Sequence, residues 1–128
     1  MLGKVNNVLV LSPTPLGDDF FKYWLVFLKP LHNLTDREMD VTAAFLRHRY
    51  HLSQVIKDNT ILENVVMSED TKSKIREECG LSSAHFQVIV GKLKKVKIIV
   101  DGRINPRLIP NLEEGQDSLQ LLLSFPIK

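Results

Sequence analysis

A chain of 128 residues with 17 Lys and Arg against 15 Asp and Glu has a formal net charge of +2; 44% of it is hydrophobic and 25% charged. That length allows one sizeable core, and the balance is that of a globular domain rather than a disordered tail. The single cysteine, Cys79, excludes an internal disulfide and a cysteine-rich zinc site, no apolar run reaches the length of a membrane span, and the start lacks the ordered regions of a signal peptide. The expectation is one compact, soluble domain from a reducing compartment, with no membrane partner and Cys79 as a buried helix residue rather than a nucleophile.

In chain order, residues 1–33 read as a strand and an aromatic helix packed on the core. Val8-Leu9-Val10-Leu11 is strand-like, Pro13, Pro15 and Gly17 mark a turn, and Asp18-Asp19 can start a helix. That helix would carry Phe20, Phe21, Trp24, Phe27, Leu28 and Leu31, the densest aromatic cluster of the chain. Residues 34–110 form the next unit. Thr35 and Glu38 have the spacing of a capping box, and Leu34 and Met39 that of a hydrophobic staple. Met39, Ala43, Leu46 and Tyr50 then share one stripe, widened by Val41 and Phe45, which predicts a helix through about Gln54. The apolar run from Ile61 to Met67 is short enough for a helical turn or a small strand.

Ser68-Glu69-Asp70 caps another helix, with acids at the positive end of its dipole, running to about Cys79. Gly80 ends it and Ser82 caps the next, a turn so short that the two helices must cross sharply. In that second helix Phe86, Ile89, Val90 and Leu93 recur at the spacing of one buried face. Lys97-Ile98-Ile99-Val100 and Arg103-Ile104-Asn105 flank Asp101-Gly102, a two-residue hairpin signal, and Pro106 and Pro110 end the second strand. Residues 111–128 extend beyond the unit, with a strand-like run from Leu119 to Ile127 expected to pair with the first run or the hairpin.

Charge is unevenly spread. Between Ala84 and Arg107 stand six basic residues, Lys92, Lys94, Lys95, Lys97, Arg103 and Arg107, against the single acid Asp101. A basic helix followed by a basic hairpin is the electrostatic pattern of phosphate contact; the same lysines could equally solvate a helix end. The face opposite the core is Ala84, Val88, Gly91 and Lys95, with Gln87 and Lys92 at its margins. Only Gln87 and His85 there could read base edges by hydrogen bonds. A small apolar strip also suits close contact with another protein.

The order helix, tight turn, helix, hairpin, and with it Ile75, Gly80-Leu81-Ser82, Phe86, Val90, Leu93 and Ile98-Ile99, resembles bacterial winged helix-turn-helix regulators. The resemblance implies a mostly α fold with a small β-hairpin (α+β), a trihelical core and the hairpin as wing. Leu34 to Tyr50 and Asp101-Gly102-Arg103-Ile104-Asn105-Pro106 also resemble small proteins of tailed phages of gut bacteria, including the crAss-like group. That resemblance implies either a DNA-bound regulator or replication or transcription factor in the host cytoplasm, or a portal, neck or connector component of the virion.

Catalytic patterns are lacking: there is no Gly-rich phosphate loop and no nucleophile elbow, and His48 and His51, one turn apart, would need further ligands to hold a metal. No cofactor and no enzymatic activity are expected. The leading expectation is binding of double-stranded DNA, with the Ser82 to Lys95 helix in a major groove. Gln87 and His85 would face bases, Ser82, Ser83, Lys92 and Lys95 the backbone, and Lys97, Arg103 and Arg107 adjacent phosphate. The alternative is a virion assembly module or homo-oligomer, using Ala84, Val88 and Gly91, the aromatic Phe20, Trp24 and Phe27, and the terminal strands as protein contacts.

Overall fold

A computed structural model describes residues 5–10, 20–113 and 115–127. They form six helices and one two-stranded antiparallel sheet. The helices are α1 (Phe20–Phe27), α2 (Lys29–His32), α3 (Asp36–Ser53), α4 (Asn59–Val66), α5 (Glu69–Glu78) and α6 (Ser83–Lys95). The strands β1 (Ile99–Val100) and β2 (Arg103–Ile104) precede a 3-10 turn at Pro106–Leu108.

The central element is α3, and α1, α4, α5 and α6 all pack against it. Its start carries both bonds of the capping box: the Glu38 amide donates to the Thr35 hydroxyl at 3.3 Å, and the Thr35 amide to the Glu38 carboxylate at 3.0 Å. Leu34 and Met39 are buried as a staple requires, and the helix ends at Ser53 with Gln54 as its cap. A single cluster of buried apolar side chains runs from Phe21 through Phe45, Val66, Ile75 and Leu93 to Leu108.

The aromatic segment departs from expectation. It is two helices, because Pro30 cannot sit in the interior of one: it lacks an N–H and its ring would clash with the carbonyl four residues back. The chain restarts at Leu28 with Pro30 in the first turn of α2. The buried residues are Phe21, Leu25 and Leu28, one helical face, while Phe27 and Leu31 are 45% and 61% exposed. The join is held by His32, whose Nε2 donates to the Leu25 carbonyl at 2.7 Å while Nδ1 accepts the Leu34 amide at 2.9 Å.

Residues 61–66 lie in α4, not in a strand. Asp58 caps the helix by accepting from the Ile61 amide at 3.0 Å, and Leu62 and Val66, four residues apart, face the core. The α5 helix starts at its Ser68 cap and ends with Gly80 at φ +63°, the left-handed conformation in which glycine carries no Cβ penalty. Ser82 then caps α6.

The hairpin is shorter than its sequence suggests. Only Ile99 pairs with Ile104 and Val100 with Arg103. Asp101 and Gly102 take φ +54° and +73°, the two positive values a type I′ turn needs. Lys97, expected in the first strand, instead turns the chain at φ +69°, with its carbonyl accepting from the Asn105 amide side chain at 2.9 Å.

The terminal strands are not present among the described residues. Residues 5–10 and 119–127 have no ladder partner, and Val8, Leu9 and Val10 are exposed. Their apolar content favours a strand, but a strand forms only where another edge receives it. Leu11, the expected turn at Pro13 to Gly17 and the Asp18-Asp19 helix start lie outside the described residues. Among the described residues no helix is long and apolar enough to cross a membrane.

Candidate nucleic-acid interface

The placement of α6 follows from its own sequence. Phe86, Ile89, Val90 and Leu93 are buried, which leaves Ser82, Ser83, Ala84, His85, Gln87, Val88, Gly91, Lys92, Lys94 and Lys95 exposed. Ser82 already accepts the His85 amide at 3.1 Å through one lone pair, so its hydroxyl keeps its proton and one lone pair for a ligand. Val88 is 69% exposed, the largest apolar side chain on this outer face. At Gly91 nothing lies within 4 Å of where a Cβ would stand, so packing within the chain does not require the glycine.

Ion pairing sorts the cations into two groups. On α3, Arg47 reaches Glu78 at 2.6 Å, His48 reaches the same carboxylate at 2.8 Å, and Arg49 reaches Glu63 at 2.8 Å. Lys22 pairs with Asp40, and Arg37 donates to the Cys79 carbonyl at 2.9 Å. His48 is therefore occupied by a carboxylate, and no cluster of three metal-ligating residues occurs among the described residues. By contrast, Lys94, Lys95, Lys97, Arg103 and Arg107 have no carboxylate within salt-bridge distance among the described residues. Lys94 and Lys97 line a shallow groove with Ile99, Val100, Asp101 and Gly102, between the last turn of α6 and the hairpin. These lysines also complement the negative end of the α6 dipole.

Two of the expected phosphate contacts sit elsewhere. Lys92 leans from α6 to the start of α3, where it meets Glu38 at 3.4 Å. Arg107 lies on the 3-10 turn, which Trp24 fixes to α1 by donating from its indole to the Leu108 carbonyl at 2.8 Å. Lys94, absent from the expected set, belongs to the groove. Phe20 and Trp24 are partly buried against the core, so of the three aromatic contact candidates only Phe27 is exposed, stacked edge-on with Tyr23 at 5.1 Å. Cys79 is half-buried, and burial, reinforced by the Asp40 and Glu78 charges, pushes its thiol up and keeps it neutral.

The paired carboxylates make stability depend on acid. The hydrogen bond from the Thr35 amide, joined by Lys92, holds Glu38 below the ordinary carboxylate value in spite of burial. At Glu78 burial alone would raise the group, but the His48 and Arg47 contacts together outweigh it and carry it down. A carboxylate lowered by folding stabilises above its unfolded value and loses that contribution as pH falls through the folded one. The stability advantage of wild type over Glu78→Gln should therefore be full at neutral pH and shrink progressively below about pH 4.5, as urea titrations at a series of pH values would show. An advantage that stays constant down to pH 3 would rule this out.

A comparison with protein-family models, curated proteins and solved structures finds no match to this chain.

Proposed function

We propose that the chain is a non-enzymatic winged helix-turn-helix protein that binds double-stranded DNA, with α6 as the recognition helix and β1–β2 as a minimal wing. In the phage setting implied by sequence resemblance, this is the role of a regulator or a replication or transcription factor. The observation that carries the reading is the gathering of Lys94, Lys95, Lys97 and Arg103, all without an acidic partner among the described residues, on the end of α6 and the adjoining hairpin. On α3, by contrast, Arg47, His48 and Arg49 are consumed by carboxylates. Because Ala84, Val88 and Gly91 offer few hydrogen bonds to bases, the binding is dominated by the DNA backbone and weakly selective.

The test is fluorescence anisotropy of a labelled random-sequence duplex. Four phosphate contacts should weaken binding by the order of a hundredfold between about 50 and 200 mM salt. The Lys94→Ala/Lys95→Ala/Arg103→Ala variant should lose most of that affinity and flatten the salt dependence, with an unchanged far-UV spectrum. Absence of binding by wild type at low salt would overturn the reading. A second reading, a virion assembly contact, is favoured by the exposure of Val88 beside the open space at Gly91. It would show as a Val88-dependent change of mass on size-exclusion chromatography.

A further inference from the structure

The α1–α2 segment is apolar on two sides. Phe21, Leu25 and Leu28 are buried in the core, while Tyr23, Val26, Phe27 and Leu31 are exposed on the outside. These four follow the i, i+3, i+4, i+8 spacing of one helical stripe, and a helix apolar all round is ordinarily covered on every side. Outside the terminal runs, the other exposed large apolar side chains, Val55, Ile61, Val88 and Val96, stand singly along the chain. The rim of the stripe is cationic. Residues 20–33 contain no Asp or Glu; Lys22 is neutralised by Asp40, and Lys29 has no carboxylate within salt-bridge distance among the described residues. Beyond the 3-10 turn the character is the reverse: residues 108–127 contain no Lys or Arg, and Glu113, Glu114 and Asp117 precede the apolar run at 119–127. Residues 121–127 are exposed, and the run has no ladder partner among the described residues. In an extended backbone Leu119, Leu121, Leu123, Phe125 and Ile127 share one wholly apolar face, and the other is mixed, with Gln120, Leu122, Ser124 and Pro126.

We propose that the outer stripe of α1–α2 receives the 119–127 run of a second copy of this chain, and that two copies exchange these runs reciprocally in a two-fold dimer. Charge decides the pairing. Stripe against stripe would oppose Lys29 to Lys29 and run against run would oppose acid to acid, whereas run on stripe sets Glu113, Glu114 and Asp117 toward Lys29. The other exposed apolar run, residues 5–10, carries no charge to offer Lys29. The lengths agree: Tyr23 to Leu31 covers about 12 Å of helix, and Leu121 to Phe125 covers about 13 Å of extended chain. Stripe and run are exposed together in the single chain, so a chain's own run does not cover its own stripe. The origin of the run favours a closed pair. Phe21 and Leu112 line one cavity, and the Trp24 indole donates to the Leu108 carbonyl at 2.8 Å, so the run leaves the body beside α1. From Leu112 the nine residues to Leu121 span up to about 32 Å, enough to cross to a facing copy. When two copies set their α1 helices opposite each other with the runs between them, both contacts form in one assembly that closes on itself. The α6 surface takes no part, so the contact stands whether or not α6 holds DNA.

The test is sedimentation of the full chain in the absence of DNA. Wild type should be dimeric at about 100 µM. Phe27→Glu/Leu31→Glu breaks the stripe and Leu123→Ser/Phe125→Ser breaks the run; each should weaken self-association by at least about tenfold. All four side chains are exposed, so both variants should keep the wild-type far-UV spectrum. Mixing the two variants is the deciding arm. One retains an intact run and the other an intact stripe, so the equimolar mixture should associate more strongly than either variant alone, through one of the two contacts. A monomeric wild type would overturn the proposal. So would a mixture that associates no better than its components, or wild-type dimerisation by the stripe variant, which would mean run pairing with run, or by the run variant, which would mean stripe pairing with stripe.

Discussion

Phe45→Ala should cost about 3–5 kcal/mol, the range for removing a large buried aromatic side chain. Phe45 is 1% exposed at the centre of α3, and its ring lies 6.5 Å from that of Phe86 at an interplanar angle of 26°. This pair joins the central helix to α6, so its loss removes packing from both sides and leaves a cavity that neighbouring side chains fill only in part. With total stabilities of small domains at about 5–15 kcal/mol, the variant should unfold at a much lower urea concentration. Phe45→Leu, which keeps most of the volume, should cost appreciably less. Equilibrium urea unfolding measures both, and a Phe45→Ala cost under about 1 kcal/mol would show that α6 does not depend on this contact.

His32→Leu should be nearly as damaging for a different reason. The imidazole is buried and serves two backbone groups, donating to the Leu25 carbonyl and accepting from the Leu34 amide. Leucine fills a similar space but leaves both without partners, at about 1–3 kcal/mol for each buried group. The loss is local as well as global: the Leu34 amide precedes the capping box, so hydrogen exchange there should accelerate more than in α5. Unfolding in urea at the wild-type midpoint, with Leu34 exchange unchanged, would show that water replaces the ring at no cost.

What was legible in the chain was what depends on neighbours in sequence. The Thr35 and Glu38 box, the Ser68 and Ser82 caps, the Gly80 stop and the Asp101-Gly102 turn are set by contacts within about four residues, and each stands where its residues indicate. The aromatic segment divides into two helices because Pro30 breaks it, and positions 21, 25 and 28 make its buried face, so Leu25 is fully buried while the larger Phe27 is 45% exposed. The terminal strands failed because strand formation is a property of a pair, and a single alternating run does not say whether an edge is open to it.

The basic surface was half legible. Its concentration between Ala84 and Arg107 is plain in sequence, but which cations remain unpaired is decided by partners far away along the chain. Lys92 meets Glu38 across 54 positions, and His48 meets Glu78 across 30. Lys94 does not stand out from the helix periodicity, because it lies off the side of α6 directly opposite the core. The hairpin lies along one flank instead, so the groove forms there.

The two-residue strands of the hairpin limit its working length. Each rises only about 7 Å, and the turn between them has no residue to spare. The hairpin is therefore a stub rather than an arm: Arg103, beside the turn and paired with Val100, is one residue pair from the body and has little backbone freedom to surrender when something settles against it. Whatever meets this side of the molecule must come to the surface of α6 itself, because the hairpin is too short to wrap it.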